Sequence, residues 1–155
     1  MKRIGIIDNL QDIHNFSLVR YEDASAAEVM NATGGNTGNV AFVYGVNKLI
    51  QNSRVRVGWG WTPSVTRERV DHLVICCANQ IGKHIDLGDW AEKLKNFNLP
   101  VTLIGLGAQS VDQQTMPEVP VGTVEFLKQV SKLKVSDMPN IAVRGKFTQS
   151  VLKNL

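Results

Sequence analysis

The sequence lacks the marks of membrane, secreted and nucleic-acid-binding proteins. No apolar stretch approaches the ~18 residues of a membrane span, and the run Ile4–Ile7 is too short for the core of a signal peptide. No dense lysine or arginine run occurs, and the net charge is only +3, which argues against nucleic-acid binding. A modest positive charge would also suit an anionic small molecule. These features predict a cytoplasmic protein that does not bind nucleic acid and has no membrane span.

Cysteine is scarce as well. The only two, Cys76 and Cys77, are neighbours within an apolar run. Successive side chains on a strand point to opposite faces, so a disulfide between them is disfavoured. We expect two buried, reduced thiols, as in a cytosolic protein. Zinc would need more ligands at regular spacing, which the sequence does not offer. We therefore expect no metal and no cofactor.

What the sequence does contain is enough apolar material for a domain of 155 residues, 43% of them hydrophobic. Two of its apolar runs are nearly continuous, which is typical of strands covered on both faces of a parallel sheet. Arg54 to Val57 alternates charged and apolar residues, which indicates an edge strand with one wet face. In all, five runs predict strands, at 3–7, 55–58, 73–77, 101–105 and 141–143.

Helix-period stripes of apolar residues fall between these runs. Asp86 is a candidate N-cap for the second predicted helix, and Thr123 is expected to open the third. Strands alternating with helices predict an α/β fold, with a doubly wound, mostly parallel Rossmann-like sheet and helices on both faces. The stripes are Phe42, Val46, Leu49 and Ile50; Leu87, Trp90, Ala91 and Leu94; Phe126, Leu127, Val130 and Leu133; and Phe147, Val151, Leu152 and Leu155.

A glycine-rich stretch precedes the first of these helices, which is expected between Val40 and Asn52. Glycines allow a tight turn and a close approach of backbone N–H groups to a ligand, and the helix start would favour an anion or a polar sugar. Alternatively, the glycines only make a turn, and Asn36 or Thr37 caps the helix. The candidate binding residues here are Gly35, Asn36, Thr37, Gly38 and Asn39.

Three further loops follow predicted strands, where parallel α/β sheets bind their ligands. Arg144 could hold a carboxylate or phosphate by two-point contact, or it could form a salt bridge or pack against a helix. The amides of the other loops could bind hydroxyl groups, or they could simply bond the backbone. The candidate residues in these loops are Asn79, Gln80, Gly107, Gln109 and Arg144.

The histidines and one long loop complete the candidates. His84 follows the Asn79 loop closely enough for a proton-transfer role, whereas His72, at the start of a strand, is expected to be structural. The stretch from Ser110 to Gly122, with Pro117 and Pro120, is expected to be an irregular loop of the length at which loops are often functional.

Several of these segments, in this order, resemble the N-terminal half of the polysaccharide pyruvyl transferase family. The resemblance runs from about Tyr21 to the end of the chain. Its most specific parts are the Leu-Pro-to-Gly-Ala-Gln segment and the Val-Arg-Gly-x-x-Thr segment. The residues that carry it are Gly35–Asn39, Asp71–Ile75 with Ala78-Asn79, Leu99–Gln109, and Ile141–Gly145 with Thr148 and Leu152.

The resemblance implies one half of a GT-B-like enzyme with two Rossmann-like domains, here a single domain over residues 1–155. It implies transfer of a pyruvyl group from phosphoenolpyruvate to hydroxyls of a glycan, giving a pyruvate ketal and phosphate, as in exopolysaccharide biosynthesis. The basic donor-binding residues are expected in the second half, so this domain would shape the acceptor side of the cleft. Many relatives carry an acidic residue where this sequence has Asn39, so this loop is expected to bind without supplying a catalytic base.

Two expectations concern the chain as a whole. The apolar face of the last predicted helix still runs at Leu155, as expected for the front half of a longer protein. An exposed cleft face on an isolated half would favour homo-oligomers. The alternative to an enzyme is a non-catalytic, flavodoxin-like module that binds a small anion through the glycine-rich loop.

Overall fold

The structure, a computed structural model, describes residues 2–8, 25–32, 36–112 and 114–155. The chain divides into two compact units. One consists of Met1–Ile7 with Asn52–Leu155, and the other of Asp8–Gln51. Among the described residues, the first unit holds the sheet and four helices, and the second holds two helices.

The first unit is built on a parallel five-stranded sheet with the order β2-β1-β3-β4-β5. This is the strand order of flavodoxin-like sheets, in which the direction of winding reverses between β1 and β3. The predicted α/β fold with a parallel sheet is confirmed. The strands are β1 Ile4–Ile7, β2 Arg54–Arg56, β3 His72–Cys76, β4 Val101–Leu106 and β5 Ile141–Val143.

The position of each strand follows its sequence pattern closely. The alternating strand, β2, lies at an edge, as predicted. β3 is central, and its residues from Leu73 to Cys76 are all buried. In β4, by contrast, Thr102 and Ile104 are only partly buried. An apolar run shows that a strand tolerates burial, but it does not say how completely each face is covered.

Two of the helices were not predicted from the sequence. α1 and α3 have seven residues each, too few to show an apolar stripe. The helices are α1 Ala26–Ala32 and α2 Thr37–Leu49 in the second unit, and α3 Pro63–Arg69, α4 Gly88–Phe97, α5 Val121–Lys132 and α6 Lys146–Lys153 in the first.

The starts of α4 and α5 correct two capping predictions. The N-cap of α4 is Leu87, not Asp86, and α5 begins at Val121 after Pro120, two residues before Thr123. Asp86 Oδ1 still accepts a 2.9 Å hydrogen bond from the Gly88 N–H. Thr123 instead ties the two helix starts together: its hydroxyl donates to the Ile85 carbonyl at 3.0 Å and accepts from the Leu87 N–H at 3.2 Å.

One hydrophobic core joins the sheet to the helices of the first unit. Phe97 of α4 and Phe126 of α5 are its largest buried side chains. Trp59, after β2, stacks on Trp90 of α4 with ring centroids 4.5 Å apart. The aromatic residues of α4 and α5 therefore serve packing, as their helical spacing predicts. Within the described residues, no helix is long and apolar enough to cross a membrane.

Candidate functional site

The loops that follow β3 and β4 pair with each other beyond the ends of the strands. The Gly107 N–H donates to the Ala78 carbonyl at 2.8 Å, and the Gln109 N–H donates to the Ile81 carbonyl at 2.8 Å. Just before this pairing, a register shift between Ile104 and Leu106 marks a bulge at Gly105, which has φ +77°. That left-handed conformation favours glycine. Two strand-end loops are thereby held side by side.

Arg144 links these loops from its place after β5. Its Nε donates to the Gly105 carbonyl at 2.9 Å, and its two terminal nitrogens donate to Asn79 Oδ1 and to the Cys77 carbonyl, each at 3.4 Å. A planar guanidinium presents its N–H donors in a fixed fork, so it can hold several acceptors in one arrangement. Arg144 therefore fixes the carboxyl ends of β3, β4 and β5 relative to one another and places a positive charge there.

Gly107 makes this close arrangement possible. A Cβ atom at position 107 would lie 2.6 Å from Asn79 Oδ1, 3.2 Å from the Ala78 carbonyl oxygen and 3.2 Å from Arg144 Cδ. Any side chain would push Asn79 or Arg144 out of place. The glycine is required by packing, and the packing sets the position of two candidate binding residues.

A cavity of about 420 Å³ opens at this cluster. This volume lies within the range of small-molecule sites. Three of the predicted residues, Asn79, Gln109 and Arg144, line it together. Three side chains that follow three different strands therefore lie at one cavity, and ligand binding by them stays a prediction. The full lining is Asn79, Ala108, Gln109, Ser110, Val111, Asp112, Arg144, Gly145, Phe147 and Thr148.

Two polar residues of this lining are committed to protein contacts. The buried Thr148 hydroxyl accepts a 3.0 Å hydrogen bond from the Ala108 N–H, which ties α6 to the β4 loop. Asp112 accepts hydrogen bonds from the backbone N–H groups of Thr115 and Gln114 and from the Thr115 hydroxyl, and these lower the pKa of its carboxyl. Asp112 is thus an anion at neutral pH that shapes its own loop.

Gln80 differs from the other strand-end residues. Gln80 is buried, does not line the cavity, and accepts a hydrogen bond from the Ala78 N–H through its side-chain Oε1. This matches the alternative in which a loop amide bonds the backbone. Gln80 therefore shapes the Asn79 loop from within.

The glycine-rich loop belongs to the second unit. Gly34 and Gly35 lie outside the described residues. Asn36 is the N-cap of α2: its Oδ1 accepts from the Gly38 N–H at 2.9 Å, and its carbonyl accepts from the Asn39 N–H at 3.1 Å. The capping interpretation is confirmed for Asn36. Thr37 is the first residue of α2, and ligand binding by this loop stays a prediction.

A second cavity, of about 400 Å³, lies beside the first and shares Gln109, Ser110 and Val111 with it. It also contains His84, whose Nε2 lies 2.7 Å from the Asn79 carbonyl oxygen. Its remaining lining residues are Lys83, Thr115, Met116, Pro117 and Glu118. The long loop before α5 thus contributes to both cavities. Its length was the only sequence signal for this role.

The remaining titratable candidates lie away from either cavity. His72, at the start of β3, bonds the Thr102 hydroxyl at 2.9 Å, and its pKa is lowered by burial and by the charge of Lys2. Both cysteines are buried thiols, as expected. Burial, with the neighbouring Cys76, raises the pKa of the Cys77 thiol to about 12. Among the described residues, no group of three or more His, Cys, Asp or Glu could hold a metal ion.

The fold and the cavity lining define an α/β protein with flavodoxin-like strand order and an arginine-containing cavity at its strand ends. Comparisons with models of protein families, with curated proteins and with solved structures found no match to this chain.

Proposed function

We propose that this chain is a domain of a pyruvyl transferase-like enzyme that moves a pyruvyl group from phosphoenolpyruvate to glycan hydroxyls. The observation that carries the proposal is the shared cavity of Asn79, Gln109 and Arg144 at the ends of parallel strands. The amides offer paired donors and acceptors for sugar hydroxyls, and the guanidinium suits a carboxylate or phosphate. The sequence resemblance supplies the reaction, which the cavity chemistry supports.

In this proposal the domain forms the acceptor side of a GT-B-like cleft. The cavity lining combines the amides of Asn79 and Gln109 with the exposed apolar side chain of Val111. Sugars present both hydroxyls and apolar C–H surfaces, so a mixed wall of this kind suits them. Arg144 would orient the carboxylate that is carried by the donor and kept in the product ketal.

The test is phosphate release from phosphoenolpyruvate by the full-length protein in the presence of candidate oligosaccharides. Gln109 is the sharpest variant because its side chain is exposed and, within the described part of the chain, its hydrogen bond is made by the backbone. We expect Gln109→Ala to raise the KM for the acceptor about 3- to 10-fold, the loss of a typical hydrogen bond. Gln149→Ala, on an exposed position of α6 outside the lining, is the matched control.

Arg144 needs a variant that keeps its charge, since truncation would also release the strand ends. Arg144→Lys should lower kcat/KM roughly 10- to 100-fold because a lysine cannot reproduce the fork of donors. Lys128→Ala, on the exposed side of α5, should leave the rate unchanged. Absence of phosphate release from the unaltered protein with every glycan tried would overturn the proposed reaction.

A second function, a non-catalytic module that binds a small anion, is favoured by one observation. The strand order β2-β1-β3-β4-β5 is that of flavodoxin-like proteins. Calorimetric titration of phosphoenolpyruvate and of nucleotides into the 155-residue chain separates the two functions. Tight nucleotide binding by this chain alone would favour the module, and weak or absent binding of both would favour the enzyme domain.

A further inference from the structure

We propose that His84 is a proton-transfer residue of this site, with Nδ1 as the atom that exchanges the proton. The role of His84 rests on the proposed transfer reaction. The geometry of its ring is independent of that reaction. His84 lines the second cavity, and that cavity shares its Gln109–Val111 wall with the cavity of Arg144. A ligand bound against this wall lies next to both basic side chains.

The hydrogen bond of the ring fixes which nitrogen can act as a base. His84 Nε2 lies 2.7 Å from the Asn79 carbonyl oxygen. A carbonyl oxygen can only accept, so Nε2 carries the hydrogen. In the neutral imidazole the lone pair then belongs to Nδ1. An orienting acceptor on one ring nitrogen is the arrangement by which a base is prepared on the other.

Asn79 connects this base to the cationic cluster. Its backbone carbonyl accepts from His84, and its side-chain oxygen accepts from Arg144 at 3.4 Å. One residue therefore sets the positions of the two side chains whose chemistry the reaction needs: a guanidinium for a carboxylate or phosphate and an imidazole for a proton. A movement of Arg144 or of His84 would therefore shift Asn79 and, through it, the other side chain.

Gly82 leaves room beside the basic nitrogen. Its φ is +154°, and a Cβ atom there would lie 3.0 Å from His84 Nδ1 and 2.8 Å from the Gln109 carbonyl oxygen. A side chain at this position would press on Nδ1 and on the shared wall of the two cavities. The charged groups around the imidazole are Lys83 and Glu118 of the second cavity, with Arg144 and Asp112 in the first.

A single imidazole, that of His84, is enough to carry the proton that the proposed reaction moves. Two C–O bonds form at C2 of phosphoenolpyruvate, and the C2–O bond to phosphate breaks. Of the two hydroxyl protons of the acceptor, one ends on the methylene carbon, which becomes a methyl group, and the other leaves on the phosphate. His84 Nδ1 takes up one of these protons as the hydroxyl oxygen bonds to C2 and then passes it on. Such transfer contributes about 10²- to 10⁴-fold to a rate.

The deciding variant is His84→Gln. The glutamine amide can still donate to the Asn79 carbonyl, so a purely structural role is preserved while the proton-accepting nitrogen is removed. We expect kcat for phosphate release to fall about 100-fold or more with little change in KM, and the corresponding step in the pH–rate profile to disappear. His72 lies outside both cavities, so His72→Gln serves as the control. It should keep both the rate of phosphate release and the step in the pH–rate profile.

Nitrogen NMR of His84 provides a readout that does not depend on catalysis. We expect the neutral ring to carry its hydrogen on Nε2, and a ring protonated mainly on Nδ1 would overturn the proposal whatever the reaction. An active protein in which His84→Gln stays within twofold of the unaltered rate would overturn the role of His84 alone. An inactive unaltered protein would overturn the proposed reaction and the proton transfer with it, and the NMR result would still decide the geometry.

Discussion

At the scale of single residues, the candidate site depends on close contacts that leave no room for an additional side-chain atom at Gly107. Gly107 lets Asn79 and Arg144 approach each other, and Arg144 reaches three oxygen atoms contributed by residues of the β3 and β4 strand ends. These contacts are local, and each involves a particular atom. A change of one methyl group is therefore enough to disturb the site.

The first residue-scale prediction concerns Gly107→Ala. The new Cβ atom would lie 2.6 Å from Asn79 Oδ1, so we expect the free energy of unfolding to fall by roughly 1–3 kcal/mol, as for other overpacked positions. Urea denaturation measures this. Gly60→Ala is the control, since no heavy atom of the described residues, apart from Gly60 and its two chain neighbours, lies within 4 Å of a Cβ there. Equal stability of the two variants would contradict the packing argument.

The second concerns the pH dependence of the Arg3–Asp71 pair. Asp71 Oδ1 lies 3.1 Å from the Arg3 guanidinium, and hydrogen bonds from Arg3 lower the pKa of Asp71 from 3.8 to about 2. A lowered pKa in the folded state stabilises the protein above pH 3.8, and this stabilisation is lost as the pH falls towards 2. We therefore expect the urea midpoint of the unaltered protein to fall more steeply across this window than that of Asp71→Asn.

The control for this pH series is Asp137→Asn, which removes a carboxylate that pairs with Lys134 on the surface at 3.6 Å. This variant should keep the steep dependence of the unaltered protein. Carbon NMR of the Asp71 carboxyl group gives the midpoint directly, and a midpoint near 3.8 would contradict the role of Arg3.

At the scale of elements, the starts of α4 and α5 approach each other closely. Asp86 Oδ1 lies between Gly88 and Gly122, and the Thr123 hydroxyl joins the residues before α4 to α5. Close approach of the two helix starts requires small residues on both sides, because the Asp86 side chain and the backbone of Gly88 already fill the space beside Gly122. The pair of helices is thereby fixed against the sheet that carries the strand-end loops.

Gly122→Ala tests this contact. A Cβ atom at position 122 would lie 1.9 Å from Asp86 Oδ1 and 2.7 Å from the Gly88 nitrogen, so the two helix starts would have to separate. We expect a loss of about 3 kcal/mol in the free energy of unfolding, the upper part of the overpacking range. Gly58→Ala, where the nearest atom is 3.6 Å away, should cost far less. A loss no larger than that of Gly58→Ala would refute the contact.

The sequence predicts elements wherever burial leaves a pattern. All five strands were predicted because each is an apolar run or alternates, and α4, α5 and α6 were predicted from their stripes. α3 leaves no stripe in seven residues, although Thr62 followed by Pro63 is a helix-start signal, and the Thr62 hydroxyl does accept from the Val65 N–H at 3.4 Å. α1 has a similar signal in Ser25 and Glu28, which form a reciprocal capping box.

In the candidate site, too, some features follow from the sequence pattern and others do not. The meeting of Asn79, Gln109 and Arg144 was predictable because parallel strands bring their carboxyl ends to one edge. The inward turn of Gln80 was not, because it depends on one hydrogen bond within its own loop. Nor was the bulge at Gly105, because it depends on the register between β4 and β5.

At the scale of the whole molecule, the strand order determines where the fold is most protected. β3 lies in the middle of the sheet, bonded to β1 and β4, whereas β2 is bonded only to β1 among the strands that the structure describes. Opening of an edge strand breaks fewer contacts than opening of a central one. The cavity of Asn79, Gln109 and Arg144 is lined by residues that follow β3, β4 and β5, and therefore lies away from the β2 edge of the sheet.

Native-state hydrogen exchange tests this order with two matched amides. The Cys77 N–H donates to the Ile104 carbonyl beyond the end of the central strand, and the Val57 N–H donates to the Ile6 carbonyl beyond the end of the edge strand, both at 2.8 Å. We expect Val57 to exchange at least about 10-fold faster, because the edge opens locally while the centre needs larger unfolding. Equal protection of the two amides would mean that the sheet opens only as a unit.

The adjacent thiols of Cys76 and Cys77 have a consequence for chemical labelling. Each is only 3% exposed, and burial raises the pKa of the Cys77 sulfhydryl to about 12. The thiolate is the nucleophile, so native molecules at neutral pH should resist alkylating agents and oxidants. Modification then proceeds through molecules whose interior has become accessible to reagent. The rate at which these two cysteines are modified therefore reports how often the interior opens, and mass spectrometry can measure that rate without an engineered label.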